Sequence, residues 1–459
     1  MSVEGTAGQR QRTLATRAWR PVSMRQRVAS VVAGGLGLGV PLSGFNPFNN
    51  ASDVLDVGQQ PILVLLTPAV LLGLLALVGA AVAPGACCWH RDVKIVAAGG
   101  ALLTLGFGLS LLATDDIWYS ILIGVTAVLA PAAVGVGVAR STISARVVVT
   151  CLLLACCLVL IRADLIFVQL YGLPTPQTLY EVKFSNRPYD FHYYTLGNPN
   201  GTAAWLLMPL ALALFYVGGP LRRESRVVLV GVGVLIASTL VLTYSRSALA
   251  AGILLVIGAL VAIPMARAIR CAIIVVLVVG VVAFALSPTN REYLSVVVST
   301  DQVSSASERY TSTVDGIEVA LDHPLTGVGL GRYNAQTGHV PAHTAAAQAA
   351  AEMGVFGVLG VSLLTLGSVM LAVRLIRARG CGHPRAAAAI AAATYLVFNV
   401  FNAGASEGLY SGYVSVWGLT LALLLGLAAG EDVSQVTADQ VRHAPPAADE
   451  HGDQEPTCS

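Results

Sequence analysis

The sequence predicts an all-α polytopic membrane protein of about twelve transmembrane helices, with a large extracytoplasmic loop that carries an amphipathic helix of its own. Three observations carry this expectation. The chain is 55% hydrophobic and only 11% charged, with a mean hydropathy of +0.73, a composition far outside soluble usage. Its apolar residues fall into separate runs close to the roughly 17 to 25 residues that cross a bilayer as one helix. Its Lys and Arg residues concentrate in alternate connections, as expected when positive loops stay on the cytoplasmic side.

The runs are residues 28–45, 61–83, 95–113, 117–139, 147–171, 201–218, 227–244, 248–266, 271–287, 353–373, 386–404 and 411–430. The first is short and glycine-rich. Residues 1–27 hold six arginines and no long apolar run, so they read as a cytoplasmic tail and not as a cleaved signal peptide. Residues 431–459 place Glu431, Asp432, Asp439, Asp449, Glu450, Asp453 and Glu455 among prolines and alanines and read as a disordered tail. The chain thus divides into an N-terminal tail (1–27), a transmembrane domain (28–430) and a C-terminal tail (431–459). With the N-terminus inside, 20 of the 27 Lys and Arg residues fall on inner segments, six on outer segments, and Arg162 lies within a span close to Asp164. This balance predicts a multi-pass protein of the cytoplasmic (inner) membrane with both termini cytoplasmic. The net charge of +2 gives no reason to expect nucleic acid, because topology accounts for the basic loops. The eight cysteines, Cys87, Cys88, Cys151, Cys156, Cys157, Cys271, Cys381 and Cys458, imply neither a disulfide nor a zinc pattern.

Two outer loops are long, residues 172–200 and 288–352, and long loops at a membrane face tend to carry function. In the second, Ser305 and Glu308 stand at capping-box spacing, and Tyr310, Val314, Ile317 and Leu321 recur at helical intervals until Asp322-His323-Pro324. This predicts an amphipathic interfacial helix with Arg309 in its first turns. "LTGVGLGRYN" (325–334) follows, and its alternating Gly327, Gly329 and Gly331 permit either close backbone approach to a ligand or a simple turn; without a preceding strand they are no dinucleotide fingerprint. Residues 345–351, six alanines and a glutamine, form a strong helix that puts His343 and Thr344 at its cap. The partial positive charge there disfavours imidazolium, so a neutral His343 could take a proton from a hydroxyl while nearby N–H groups hold a phosphate; an interfacial cap without chemistry is the other reading. His192 and His339 rank below His343. Arg246, Arg309 and Arg332 sit on the outer side against the topological bias. They either snorkel to headgroups or build an anion site, for which the planar, permanently charged guanidinium suits a diphosphate.

Four stretches in order, "GNPNGTAAW" (197–205), "TYSRSALA" (243–250), Arg309 ahead of "HPLTGVGLGRYN" (323–334), and "HTAAAQAAAEMGVFG" (343–357), resemble the O-antigen ligase and polymerase superfamily, polytopic metal-independent glycosyltransferases. The likeness covers roughly residues 195–430 and includes the histidine followed at fixed spacing by Gly-x-x-Gly, met by Gly354 and Gly357. The resemblance implies transfer of a glycan from a polyprenyl diphosphate carrier to a hydroxyl of a glycan, lipid or protein acceptor at the outer face of the membrane. It implies His343 as the catalytic base, Arg246, Arg309 and Arg332 on the diphosphate, and no cofactor or metal. Thr344 departs from the Asn, Ser or Gln more usual there, which leaves a polymerase open beside a ligase. Asp115-Asp116 reads as an interfacial cap and not as a metal pair. A transporter or flippase for lipid-linked glycans is the alternative of another class, and it predicts mid-membrane ionisable groups and internal repeats.

Overall fold

The computed structural model describes residues 23–43, 68–85, 89–171, 199–243, 245–263, 301–338, 342, 344–401 and 415–430, together with isolated positions 271, 275, 279 and 286. The regular structure of these residues is helical: α1 (Met24–Leu42), α2 (Pro68–Val82), α3 (Arg91–Ser110), α4 (Ile117–Gly124), a π turn (Val125–Leu129), α5 (Ala130–Ala139), α6 (Ala145–Tyr171), α7 (Pro199–Tyr216), α8 (Arg223–Leu242), α9 (Arg246–Ala262), α10 (Asp301–Asp322), α11 (Tyr333–Thr337), α12 (Ala345–Arg379), α13 (Pro384–Phe401) and α14 (Ser415–Ala429). Each predicted apolar run except 271–287, which lies outside the described residues apart from isolated positions, overlaps one of these helices or, for 117–139, the continuous α4–π–α5 unit. Among the described residues, five helices are long and apolar enough to cross a membrane: Arg91–Ser110, Ile117–Ala139, Ala145–Leu165, Arg223–Leu242 and Ala345–Arg379. Residues 1–22 of the predicted N-terminal tail, the C-terminal tail 431–459 and residues 172–198 of the first outer loop lie outside the described residues, while residues 24–27 of the predicted tail belong to α1.

Small residues decide how closely the helices approach, because lipid tails offer no hydrophobic advantage to helix contact and dispersion between backbones takes over. The most extensive contact is α3 against α12. A Cβ built on Gly99 would stand 2.7 Å from the Leu364 nitrogen and 2.9 Å from the Gly360 oxygen, so the two backbones touch. α7 is buried on all sides. Ala203, Trp205, Leu206, Leu207, Met208 and Ala211 have no exposed surface, as expected of a helix that is apolar all round and enclosed by its neighbours. Its Trp205 Nε1 donates to Thr420 Oγ1 of α14 at 3.1 Å, which gives the buried indole N–H its partner.

Chain direction gives the bundle two poles. At one, Arg374 Nε donates to Asp92 Oδ2 at 2.7 Å and joins the ends of α12 and α3. There too Arg385 Nη1 donates to the Leu427 carbonyl, where the C-terminal charge of α14 favours a cation. At the opposite pole α3 ends, α4 and α12 begin, and the glycine-rich segment lies between them. The far half of α6 reaches towards that second pole, where Asp164 Oδ2 accepts from Thr239 Oγ1 of α8 at 3.0 Å. The α8–α9 turn therefore lies away from the arginine-rich pole.

Candidate functional site

Thr344 caps α12, its Oγ1 accepting from the Ala347 N–H at 3.2 Å, as the local sequence predicts. The helix then breaks at Gly354, whose φ of 62° and ψ of −151° no L side chain adopts comfortably. A break in a helix frees carbonyl and N–H groups that must find partners when buried. Here the glycine loop supplies them. Val328 N–H donates to the Ala351 carbonyl at 2.9 Å and Gly329 N–H to the Glu352 carbonyl at 3.2 Å, while Val355 N–H donates to the Pro324 carbonyl at 2.8 Å. Glycine is needed on both sides of this clasp. A Cβ on Gly354 would lie 2.5 Å from the Pro324 oxygen, and one on Gly327, at φ +61°, would overlap the backbone of Glu352. What Gly327 and Gly329 approach here is the protein's own backbone, at the kink of α12.

The same loop docks on the turn between α3 and α4. Arg332 Nε and Nη2 donate to the two carboxylate oxygens of Asp115 at 2.8 and 2.9 Å, a fork-to-fork pair. Gln336 Nε2 reaches Asp115 Oδ1 and the Ala113 carbonyl, each at 3.3 Å. Ser120 Oγ donates to the Leu330 carbonyl at 3.1 Å, and the Arg332 guanidinium stands 5.7 Å over the Tyr119 ring. Hydrogen bonds from Arg332 and Gln336 hold the Asp115 carboxyl down at about 2, and the pair in turn raises the Arg332 pKa. Tyr333 is buried, which pushes its phenol up to about 12. Asp116 caps α4 by accepting from the Tyr119 N–H at 3.1 Å, so the reading of this acidic pair as a cap holds for Asp116, while Asp115 ties the glycine loop.

A carboxyl with a depressed pKa contributes stability above its ordinary value and loses it as pH falls through the folded one. The Asp115–Arg332 tie is therefore expected to be complete above about pH 4 and to fail only towards about pH 2. Asp115 is exposed, so Asp115→Asn should shift thermal unfolding only slightly. Its expected effect is on loop 325–338, whose amide exchange should quicken at neutral pH.

Of the residues singled out from sequence, Arg332 is placed in full. Arg246 opens α9 directly after its N-cap Ser245, and Arg309 lies within α10; the side chains of both lie outside the described residues, as do His343, His192 and His339 entirely. One local expectation is corrected. α10 begins at Asp301, not at Ser305, so Ser305 and Glu308 lie inside the helix and not at its cap. Its outward stripe is apolar, with Tyr310, Ile317 and Leu321 exposed, while Ser312 and Gly316 are buried.

Sequence reasoning missed Gln348 and Glu352. Both are buried, at 6% and 2% exposure. Gln348 Nε2 donates to Glu352 Oε1 at 2.6 Å, and Gln348 Oε1 accepts from the Ala342 N–H at 2.8 Å. Within an alanine run these two read as ordinary polar positions; their i, i+4 spacing was the available signal.

Residues 231–362 match the family model described as O-antigen ligase, which supports the O-antigen ligase and polymerase superfamily. The matched stretch runs from α8 through the kink of α12 and includes Arg246, Arg309, Arg332 and His343. No curated protein matches the chain.

Proposed function

We propose, from the O-antigen ligase pattern across residues 231–362, that this membrane protein transfers a glycan from a polyprenyl diphosphate carrier to an acceptor hydroxyl at the outer face of the cytoplasmic membrane. The observation that carries the reading is that one matched stretch holds Arg246, Arg309 and Arg332 together with the histidine that directly precedes the N-cap of α12 in sequence. In the proposed step His343 takes the acceptor proton as the acceptor oxygen bonds to the anomeric carbon. The bond from that carbon to the diphosphate oxygen breaks, and the diphosphate leaves on the polyprenyl chain. Such a single displacement inverts the anomeric centre. Diphosphate is already a good leaving group, so the protein must chiefly position the carrier and screen departing charge. Arg246 and Arg309 carry that role, joined by Arg332, of whose five N–H groups Asp115 engages two. No metal is required by this arrangement.

The test is transfer at matched membrane levels for Arg246→Lys, Arg309→Lys and the alanine variants, with polyprenyl diphosphate glycan, candidate acceptors and a chelator control. Lysine keeps the charge and loses the fork, so a clamp predicts a steep fall in both lysine variants and no effect of chelator. Near-normal lysine variants would refute the clamp and return both residues to headgroup contact. In the same assay, addition of one block identifies a ligase and growth by many a polymerase.

A further inference from the structure

We propose that Gln348 and Glu352 are positioning residues: a buried amide–carboxyl pair that fixes the backbone at Ala342, immediately before His343 in sequence, and so acts on transfer through that histidine. This rests on the reading of His343 as the base.

The backbone on either side of His343 is held. After it, Thr344 is locked into the N-cap by its bond from Ala347 N–H at 3.2 Å. Before it, Ala342 is fully buried and its N–H donates to Gln348 Oε1 at 2.8 Å. Ala342 is also braced from α10, since a Cβ on Gly316 would fall 2.9 Å from the Ala342 Cβ. Gln348 can bind Ala342 as an acceptor only if its NH₂ group finds an acceptor elsewhere, and Glu352 Oε1 provides it at 2.6 Å. The direction of the amide is thereby determined: oxygen towards Ala342, nitrogen towards the carboxylate. The Glu352 carbonyl accepts from Gly329 N–H at 3.2 Å, so the helix turn that carries the pair is also bound to the glycine loop. A buried polar pair of this kind is costly unless its members are matched. Hydrophobic residues would fill the volume equally well, but they would leave the Ala342 N–H without its acceptor.

The pairing makes a directional prediction. Gln348→Glu removes the NH₂ donor and places two carboxyl groups side by side, and should lower the turnover of transfer by about 10²-fold, the scale of a misplaced reacting group, with KM for the carrier little changed. The double variant Gln348→Glu with Glu352→Gln reverses the pair. The carboxyl group introduced at position 348 would then accept from the Ala342 N–H and from the NH₂ group introduced at position 352. The reversed pair should recover most of the lost turnover, which neither charge count nor volume alone explains. A second readout needs no catalysis. Amide exchange over residues 338–344 should quicken roughly tenfold in Gln348→Met and in Gln348→Glu, and return towards wild type in the reversed pair.

Unchanged exchange in Gln348→Met, or a reversed pair no better than Gln348→Glu, overturns the proposal. So does a cost of Gln348→Glu that is the same in a His343→Ala background as in wild type, because residues that act through His343 lose their effect once it is gone. If His343→Ala itself leaves transfer near normal, the reading of the base fails and catalytic positioning with it. The exchange measurement then decides separately whether the pair holds the segment.

Discussion

His343→Ala is expected to lower transfer by about 10²- to 10⁴-fold, the usual contribution of a positioned general base, while the protein stays folded in the membrane and still binds its lipid carrier. The reason is local. His343 directly precedes the N-cap of α12, where the helix dipole favours a neutral imidazole able to accept a proton. The acceptor hydroxyl is a poor nucleophile until deprotonated, and no arginine can act as that base, since guanidinium keeps its proton throughout. The check is turnover with purified protein, polyprenyl diphosphate glycan and acceptor, together with carrier binding measured separately. Activity within a few-fold of wild type would make His343 a plain interfacial residue and move attention to His192 and His339.

Gly354→Ala is expected to be as damaging by a different route. Gly354 holds φ 62° and ψ −151° inside a 35-residue helix, and its position leaves a Cβ 2.5 Å from the Pro324 oxygen. Backbone strain of this kind costs about 1 to 3 kcal/mol before any clash is counted, so the variant should lose about 3 kcal/mol or more. Either α12 straightens and casts off the glycine loop, or the loop shifts; both displace the residues around Ala342, and transfer should fall about 10²-fold. Gly338 is the control. It too has positive φ, 70°, but nothing lies within 4 Å of its Cβ position, so Gly338→Asn should be tolerated with a loss of no more than about 1 kcal/mol. Thermal unfolding in detergent and transfer at matched levels separate the two. Equal behaviour of the two variants would mean that the kink is not what holds the loop.

Much of the architecture was legible because the bilayer imposes it. A spanning helix must satisfy every backbone group internally and must be long enough, so apolar runs and helices coincide nearly everywhere the structure is described. Caps were legible for a related reason, since the Thr344 and Asp116 bonds reach only three residues along the chain. The Gly-x-x-Gly at 354–357 was visible as spacing, and the helix start at Thr344 followed from the alanine run after it. None of these told what the glycines were for.

The tertiary structure decided the rest, because the deciding partners are distant in sequence or opposite in the fold. Asp115 and Arg332 are 217 residues apart, and nothing local to either marks the other. The break at Gly354 is stable because segment 324–329 receives the freed carbonyl and N–H groups, a match that exists only once α12 lies on the loop. Gln348 and Glu352 looked like two polar residues on a helix face. Burial under the glycine loop made them partners, since an amide N–H removed from water needs an acceptor and Glu352 Oε1 supplies it. The sequence by itself thus determined which segments are apolar helices and where they are capped, through composition and short-range bonding. Only the packed structure determined which loop grips which helix and which polar side chains are forced to pair, because those depend on what removes each group from water.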